Sequence, residues 1–535
     1  MKTEYDYIVI GGGSAGCVVA AQLVRNNAGK VLLLEAGGPN KSLDYVIPAA
    51  ALKIFQTNSW PYTTLPLKNA QNREMLIAQG KGLGGGSAVN GMIYMRGQAE
   101  DYDAWAKDWG CDQWSYKDVL KYYKKAENNE VLADEYHGNK GLFCIANNRH
   151  QHPLTKAFVR AGQQIGLPYI NDFNGKTQEG VGFNQLAQFD GSRGSTARTY
   201  LAAVKNDPRI DIVTGAQVRR VLIENGKATG VEVNIGGKPV SQIKCTKEVI
   251  VSAGTFGSPK ILMLSGVGPK EHLESLGIEV KADLPVGKNF HDHLHVSVNA
   301  TIREPISVLG EDSGLKQIKH GLNWFMFRSG LATSNVLEGA GVVDTSGQGR
   351  PDIQMHFLPI LDNFDNTPGE KEAAAEHGIS IKVGHLQPKS RGEVRLKSAN
   401  PDDMIEIDAN FLDNKEDLDA HVRAVRLGLK MFEAPALKEL IREVIVPEKN
   451  IDPDDTAALE EFIRRDIKTV YHPAGTCCMG NNPESSVTDQ SLRVHGIQGL
   501  RVVDMSICPQ VPSGNTNAVA VMIGERGADL ISNHS

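Results

Sequence analysis

The sequence predicts an α/β protein of more than one domain, and three observations carry that prediction. Its 535 residues exceed one small module, since a domain takes roughly 100–200 residues. Apolar residues make up 41% and charged ones 22%, the range of a globular chain with a sizeable core rather than of a disordered or fibrous one. At the N-terminus two apolar runs flank a glycine turn and a helix-compatible stretch, which is how parallel strands joined by a helix read in sequence.

That N-terminal unit runs Tyr7-Ile8-Val9-Ile10 as a strand, Gly11-Gly12-Gly13-Ser14-Ala15-Gly16 as a turn, Cys17 to Val24 as a helix and Lys30 to Glu35 as a second strand. Gly11 permits the tight turn, Gly13 lets backbone approach a pyrophosphate, and Gly16 lets the helix pack closely on the strand. Glu35, at the end of the second strand, can accept hydrogen bonds from the ribose hydroxyls of an adenosine, and its charge disfavours a 2′-phosphate. These features predict a Rossmann-like dinucleotide site. NAD and FAD share the fingerprint, so other segments must separate them.

Glycine supplies 55 residues, and two further clusters hold many of them. Gly80 to Gly97 has little side-chain bulk and can lie flat against a ring. Val249 to Gly268 reads as a strand ending at Ala253-Gly254, with Ser258 as N-cap and Pro259 as the first residue of a helix. The stretches near 155–205 and 300–460 lack such clusters, and Arg391-Gly392-Glu393-Val394-Arg395-Leu396 alternates as a sheet strand does, so they predict a separate substrate domain. Asn363 to Glu370, rich in breakers and charge, is the candidate mobile loop.

Lys+Arg of 57 against Asp+Glu of 63 gives a net charge of −6, without the cationic excess that nucleic-acid backbones attract. Seven cysteines scattered over the chain fit a reducing compartment better than a disulfide framework. Met1 to Asp6 shows no export signal, and no apolar run reaches the 18 residues of a spanning helix, although a peripheral membrane contact leaves no such mark. The expectation is a cytoplasmic protein without a nucleic-acid partner.

Gly80 to Gly97 and Gly254 to Gly268 resemble the two long signatures of the glucose-methanol-choline (GMC) oxidoreductases. Val286 to His293, Val470 to Cys477, Leu500 to Asp504 and Ser513 to Asn517 are similar to further family elements, so the resemblance spans nearly the whole chain. It implies FAD rather than NAD, held by a Rossmann-like domain of discontinuous segments (1–154, 206–299 and 461–535). A substrate domain with an antiparallel sheet covered by helices would take 155–205 and 300–460. By matched position it assigns Gly11, Gly13, Ser14, Ala15, Gly16, Glu35 and Ala36 to the adenosine and pyrophosphate, and the backbone of Val218 to the adenine. Gly84, Ser87, Asn90, Gly91 and Met92 would line the flavin side, completed by Ala253, Asp504, Met505, Thr516 and Asn517. Some members link FAD covalently through a histidine where this chain has Val89, so non-covalent binding is expected.

Oxidising an alcohol removes a hydride from carbon, which a flavin can accept, and a proton from oxygen, which needs a base. The resemblance places His472 in that role, and an unperturbed imidazole is largely neutral near pH 7. Its second polar group falls on Asn515, whose NH2 can donate to a developing alkoxide; a capping role for the next helix is the alternative. That helix, Thr516 to Ile531, would stabilise negative charge on the reduced flavin if its N-terminus points there.

Other features read as structural. His291-Asp292-His293-Leu294-His295 would put three histidines on one strand face, but nothing nearby completes a ligand set, so no metal is expected. Cys477-Cys478 reads as buried free thiols. Trp324, Phe325 and Phe327 read as core rather than as an ammonium cage, with Glu338 an available counter-charge for such a cage. The resulting expectation is an FAD-dependent alcohol dehydrogenase of the choline-dehydrogenase-like branch, oxidising a primary or secondary alcohol and passing electrons to a quinone or other acceptor. An oxidase using oxygen, a redox-silent FAD lyase and a non-enzymatic flavoprotein are the alternatives. Substrate identity and oligomeric state stay open.

Overall fold

The computed structural model describes residues 3–362 and 376–533; the expected mobile loop Asn363 to Glu370 lies outside them. Two seven-stranded sheets organise the described residues. In the first, Glu4–Ile10 runs parallel to Val31–Glu35 on one side and to Ser241–Val251 on the other, with Ile210–Thr214 beyond Val31–Glu35. Antiparallel Lys227–Ile235 and Ala216–Glu224 extend the sheet, and the far end of Ser241–Val251 pairs in parallel with Leu500–Val502. Every residue of Val31–Glu35 is buried, as expected of a parallel strand covered on both faces.

The helix Ser14–Arg25 packs along the C-terminal helix Asn517–Ser532. Gly524 allows this approach, because a Cβ there would sit 2.8 Å from Val18. The packing brings both helix starts to the end of the first strand, where Asn517 Nδ2 donates to Ser14 Oγ at 2.9 Å.

The second sheet is antiparallel, in the order Ile441–Val446, Leu294–Ile302, Gly378–His385, Ile353–Leu358, Gly339–Val343 and Gly180–Phe183. Side chains alternate across it. Val296, Val298, Met355, Phe357, Ile381 and Val383 point into a core under the helix Lys415–Glu433, where Gly428 fits against Val298 and Val383. The opposite face presents His295, His356 and Lys382 to the cavity described below, with His356 directly across from Lys382.

Three expectations are corrected. The boundaries at 154/155, 299/300 and 460/461 fall inside the helix Pro153–Gln164, the strand Leu294–Ile302 and the helix Thr456–Asp466, because helical and strand hydrogen bonding runs unbroken across those points. The helix after Val251 begins at Gly254, with Pro259 inside it rather than at its start. Proline removes the donor for the Thr255 carbonyl, and Thr476 Oγ1 supplies one at 2.6 Å. Of the aromatic run, only Trp324 is core; Phe325 and Phe327 are 72% and 67% exposed, on the outer side of the surface helix Gly314–Phe327.

Candidate functional site

Residues of both sheets line a cavity of about 1150 Å³, at the upper end of ligand pockets and long enough in outline to reach from Val218 to His472. Its nucleotide end is built from backbone. Gly11 has φ +102°, and a Cβ there would lie 2.4 Å from Ser252 O; at Gly16 it would lie 1.9 Å from Gly11 O. At Gly13 a Cβ would meet nothing within 4 Å, leaving an open cradle beside the start of the helix Ser14–Arg25. Glu35 accepts backbone N–H bonds from Gly12 (2.8 Å), Gly37 (2.7 Å) and Gly82 (3.0 Å), so it ties three loops together while still facing the cavity.

The second glycine cluster leans on the first: Gly84 N donates to Gly12 O at 2.7 Å and Ser87 N to Ser14 Oγ at 3.2 Å. Arg193, fully buried, holds the loop by donating to the Asn90 carbonyl at 2.6 Å and to Asn90 Oδ1 at 3.0 Å. Gly11, Gly13, Ser14, Ala15, Glu35, Ala36, Asn90, Gly91, Met92, Val218, Ala253, Asp504, Met505, Thr516 and Asn517 line the cavity. Gly16, Gly84 and Ser87 do not: Gly16 serves helix packing, and the Ser87 hydroxyl donates to Gly84 O and accepts from Thr196 N. Asp504 is turned to its neighbours, accepting from Gly254 N, Ser258 Oγ and Ser506.

His472 reaches the cavity from a loop fixed at several points. Tyr471 adopts φ +65°, a strained conformation for a non-glycine residue. His472 N donates to Asp292 Oδ1 at 2.8 Å, and Thr469 Oγ1 donates to Asp292 Oδ2 at 2.5 Å. Burial pushes the Asp292 carboxyl up to about 7. Thr255 Oγ1 donates to Pro473 O at 2.7 Å, which ties the loop to the helix that carries Pro259.

The imidazole itself sits in a chain of hydrogen bonds whose direction is determined. His293 Nε2 lies 3.0 Å from Leu386 O, and a carbonyl only accepts, so this nitrogen carries the proton. Burial holds His293 down at about 4, so it is neutral and its Nδ1 has a lone pair. His472 Nδ1, 3.1 Å away, must then donate. That leaves the lone pair of His472 on Nε2, where Asn515 Nδ2 approaches to 3.3 Å. Asn515 Oδ1 in turn accepts from Gln354 Nε2 at 3.2 Å. Burial, and then His293 and His356, hold His472 well below the usual imidazole range. Asn515 is thus engaged with His472 and Gln354, and the helix Asn517–Ser532 has no side-chain cap bond at Thr516.

Sequence reasoning missed Asp292, His293, Gln354, His356 and Lys382. The His291 to His295 run does not share one strand face, since the strand starts at Leu294; His291 is taken up by Asn289 O and Val511 N. No cluster of metal-binding side chains occurs among the described residues, and all seven cysteines are free. Glu338 faces away from the cavity, accepting from Ser334, His152 N and Thr155 and pairing with His150.

The N-terminal family model for GMC oxidoreductases matches residues 5–295 and the C-terminal one residues 388–524. The oxygen-dependent choline dehydrogenase of Pseudomonas savastanoi pv. phaseolicola is 40% identical over 539 residues, covering 99% of this chain and 94% of the relative. Among solved structures, pyridoxine 4-oxidase from Mesorbium loti superposes with a TM-score of 0.88 at 28% identity, covering 98% of both chains. The formate oxidase structure gives 0.91 at 25% identity over 99% of this chain and 98% of that one.

Proposed function

The chain belongs to the GMC oxidoreductase family and is an FAD-dependent oxidoreductase acting on a CH–OH donor, and from that premise we propose that His472 is the base and Asn515 the orienting group. The observation that carries this reading is the hydrogen-bond chain that leaves the His472 lone pair on Nε2, beside Asn515 Nδ2, where both residues line a cavity walled by glycine turns. The cavity fits the cofactor: the open cradle at Gly13, the start of the helix Ser14–Arg25 and Ser14 suit its pyrophosphate, and Glu35 and Val218 its adenosine end. Val89 offers no nucleophile, so FAD would be held without a covalent link.

When bound, FAD accepts the hydride that leaves the carbinol carbon. The remaining work falls to this chain. His472 Nε2 takes the hydroxyl proton as the substrate oxygen comes between it and Asn515, Asn515 Nδ2 donates to that oxygen as negative charge builds on it, and His293 holds the tautomer in which Nε2 carries the lone pair. The start of the helix Asn517–Ser532 adds positive potential at the same end of the cavity. With the proton and the hydride removed, the alcohol becomes an aldehyde or ketone.

Electrons would then pass to a quinone or another acceptor; comparing dye reduction with oxygen consumption separates a dehydrogenase from an oxidase. Anaerobic fading of the flavin absorbance on adding an alcohol tests the reading itself. A holoenzyme that no alcohol bleaches, or a His472→Ala variant that bleaches at the parent rate, would overturn it.

A further inference from the structure

The second sheet turns an unusual face to the cavity. Its cavity-facing positions carry His295, His356 and Lys382, and no carboxylate reaches the cavity from that face. Lys382 lines the cavity while its partner Asp362 sits behind it, 2% exposed, with 3.2 Å between Nζ and the carboxylate. His356 is 5% exposed, and its Nδ1 has no hydrogen-bond partner among the described residues. This wall therefore offers the Lys382 ammonium and the His356 imidazole to the cavity that His472 also lines.

A quaternary ammonium needs the reverse, a carboxylate or an open aromatic face. Of the aromatic side chains that line the cavity, Trp60 already carries Lys81 Nζ 3.9 Å from its ring centroid, Phe55 packs edge-on against Tyr471, and Tyr62 packs against Phe256. At the mouth, Glu311 is paired with Lys316 and His320, and Asp44 with Lys53, while Asp312 is exposed.

We infer that His356 and Lys382 form a subsite for an oxygen acceptor on the substrate, and that this wall rejects a quaternary ammonium beside the carbinol. The substrate is then an alcohol carrying a carbonyl, hydroxyl or carboxylate oxygen, without positive charge. This inference rests on the proposed alcohol oxidation at His472.

The test compares choline with 3,3-dimethylbutan-1-ol, which has the same shape without the charge, by anaerobic bleaching of the holoenzyme. The isostere is expected to react at least about tenfold faster, and Lys382→Met, which bares Asp362, should erase that preference. An independent readout titrates the oxidised holoenzyme with acetate and with tetramethylammonium. Acetate should perturb the visible flavin band at a concentration at least about tenfold lower, and His356→Phe should weaken it while the flavin remains bound. Choline reacting as fast as its isostere, or tetramethylammonium binding as tightly as acetate, overturns the inference and leaves alcohol oxidation standing. If neither alcohol, nor a wider set, bleaches the flavin, alcohol oxidation at His472 fails and this inference with it.

Discussion

Nδ1 of His293 lies 3.1 Å from Nδ1 of His472, and the Leu386 carbonyl on the far side of His293 decides which of the two donates. One backbone oxygen thereby sets the tautomer of the proposed base through an intervening ring. His293→Phe keeps the volume roughly but removes the acceptor, so the His472 ring loses its preferred tautomer. Flavin bleaching should slow by about 10²-fold or more with FAD content unchanged, by analogy with other bases whose tautomer is fixed by a partner. His293→Gln, which can accept at the same place, should recover part of the rate. Equal rates in all three proteins would remove His293 from the site.

The pH dependence follows from the same cluster. A base works when unprotonated, and burial with His293 and His356 holds His472 well below 6.5. The bleaching rate should stay flat from neutral pH upward and fall only as acid protonates the ring. His356→Ala removes one of the groups that lower His472, so the acid limb should move to higher pH. Stopped-flow bleaching across the pH range checks both points; a limb centred above 6.5 in the parent would contradict the environment seen here.

Asp292 accepts from His472 N and Thr469 Oγ1 in a fully buried setting that pushes its carboxyl up to about 7. A group so close to neutrality should be replaceable by an amide that accepts at the same position. Asp292→Asn is expected to keep activity within about tenfold, whereas Asp292→Ala, which leaves His472 N unsatisfied, should cost ~1–3 kcal/mol of stability and most of the turnover. Thermal unfolding and bleaching rates on both variants decide between a positional and a charge role.

Pro259 and Thr476 make a testable pair. The proline leaves the Thr255 carbonyl without its helical donor, and the Thr476 hydroxyl fills in at 2.6 Å. Thr476→Val should destabilise by ~1–3 kcal/mol, the range for a buried acceptor left unpaired. Pro259→Ala restores a backbone N–H, so the double variant should lose less than Thr476→Val alone. Denaturant midpoints on the four proteins give the coupling, and strict additivity would mean that the hydroxyl does not serve that carbonyl.

What the sequence disclosed follows the range of the interactions involved. The Gly11 to Gly16 turn was legible because close backbone approach demands glycine at set positions, and here a Cβ at Gly11 or Gly16 would strike Ser252 O or Gly11 O. His472 and Asn515 were reached through resemblance alone, and both line the cavity. The link from Asp292 and His293 to His472 spans about 180 positions and leaves no local pattern. Pro259 reads as a helix start because the donor that replaces its N–H, Thr476, lies 221 residues beyond the Thr255 carbonyl it serves, where no window along the chain would find it. Phe325 and Phe327 failed as core because composition records how apolar a segment is and not which way its helix turns.

Away from the cavity, a buried charge network should make stability depend on pH. His137 Nδ1 lies 3.0 Å from Glu127 and its Nε2 3.0 Å from Asp172, so both ring nitrogens donate to carboxylates and the ring is an imidazolium. Arg96 bridges to the same Glu127 at 2.5 Å. Burial disfavours the charge, but the two carboxylates outweigh it and raise His137 from 6.5 to about 9. Because the folded protein binds this proton more tightly than the unfolded chain, the contribution is complete below pH 6.5. It is then lost as pH rises toward 9, amounting to about 3 kcal/mol. The urea midpoint should therefore fall between pH 6.5 and 9, and His137→Gln should flatten that slope while lowering stability at pH 6. A parent protein equally stable at pH 6 and pH 9, with no such difference in the variant, would mean that the ring is neutral in the folded state.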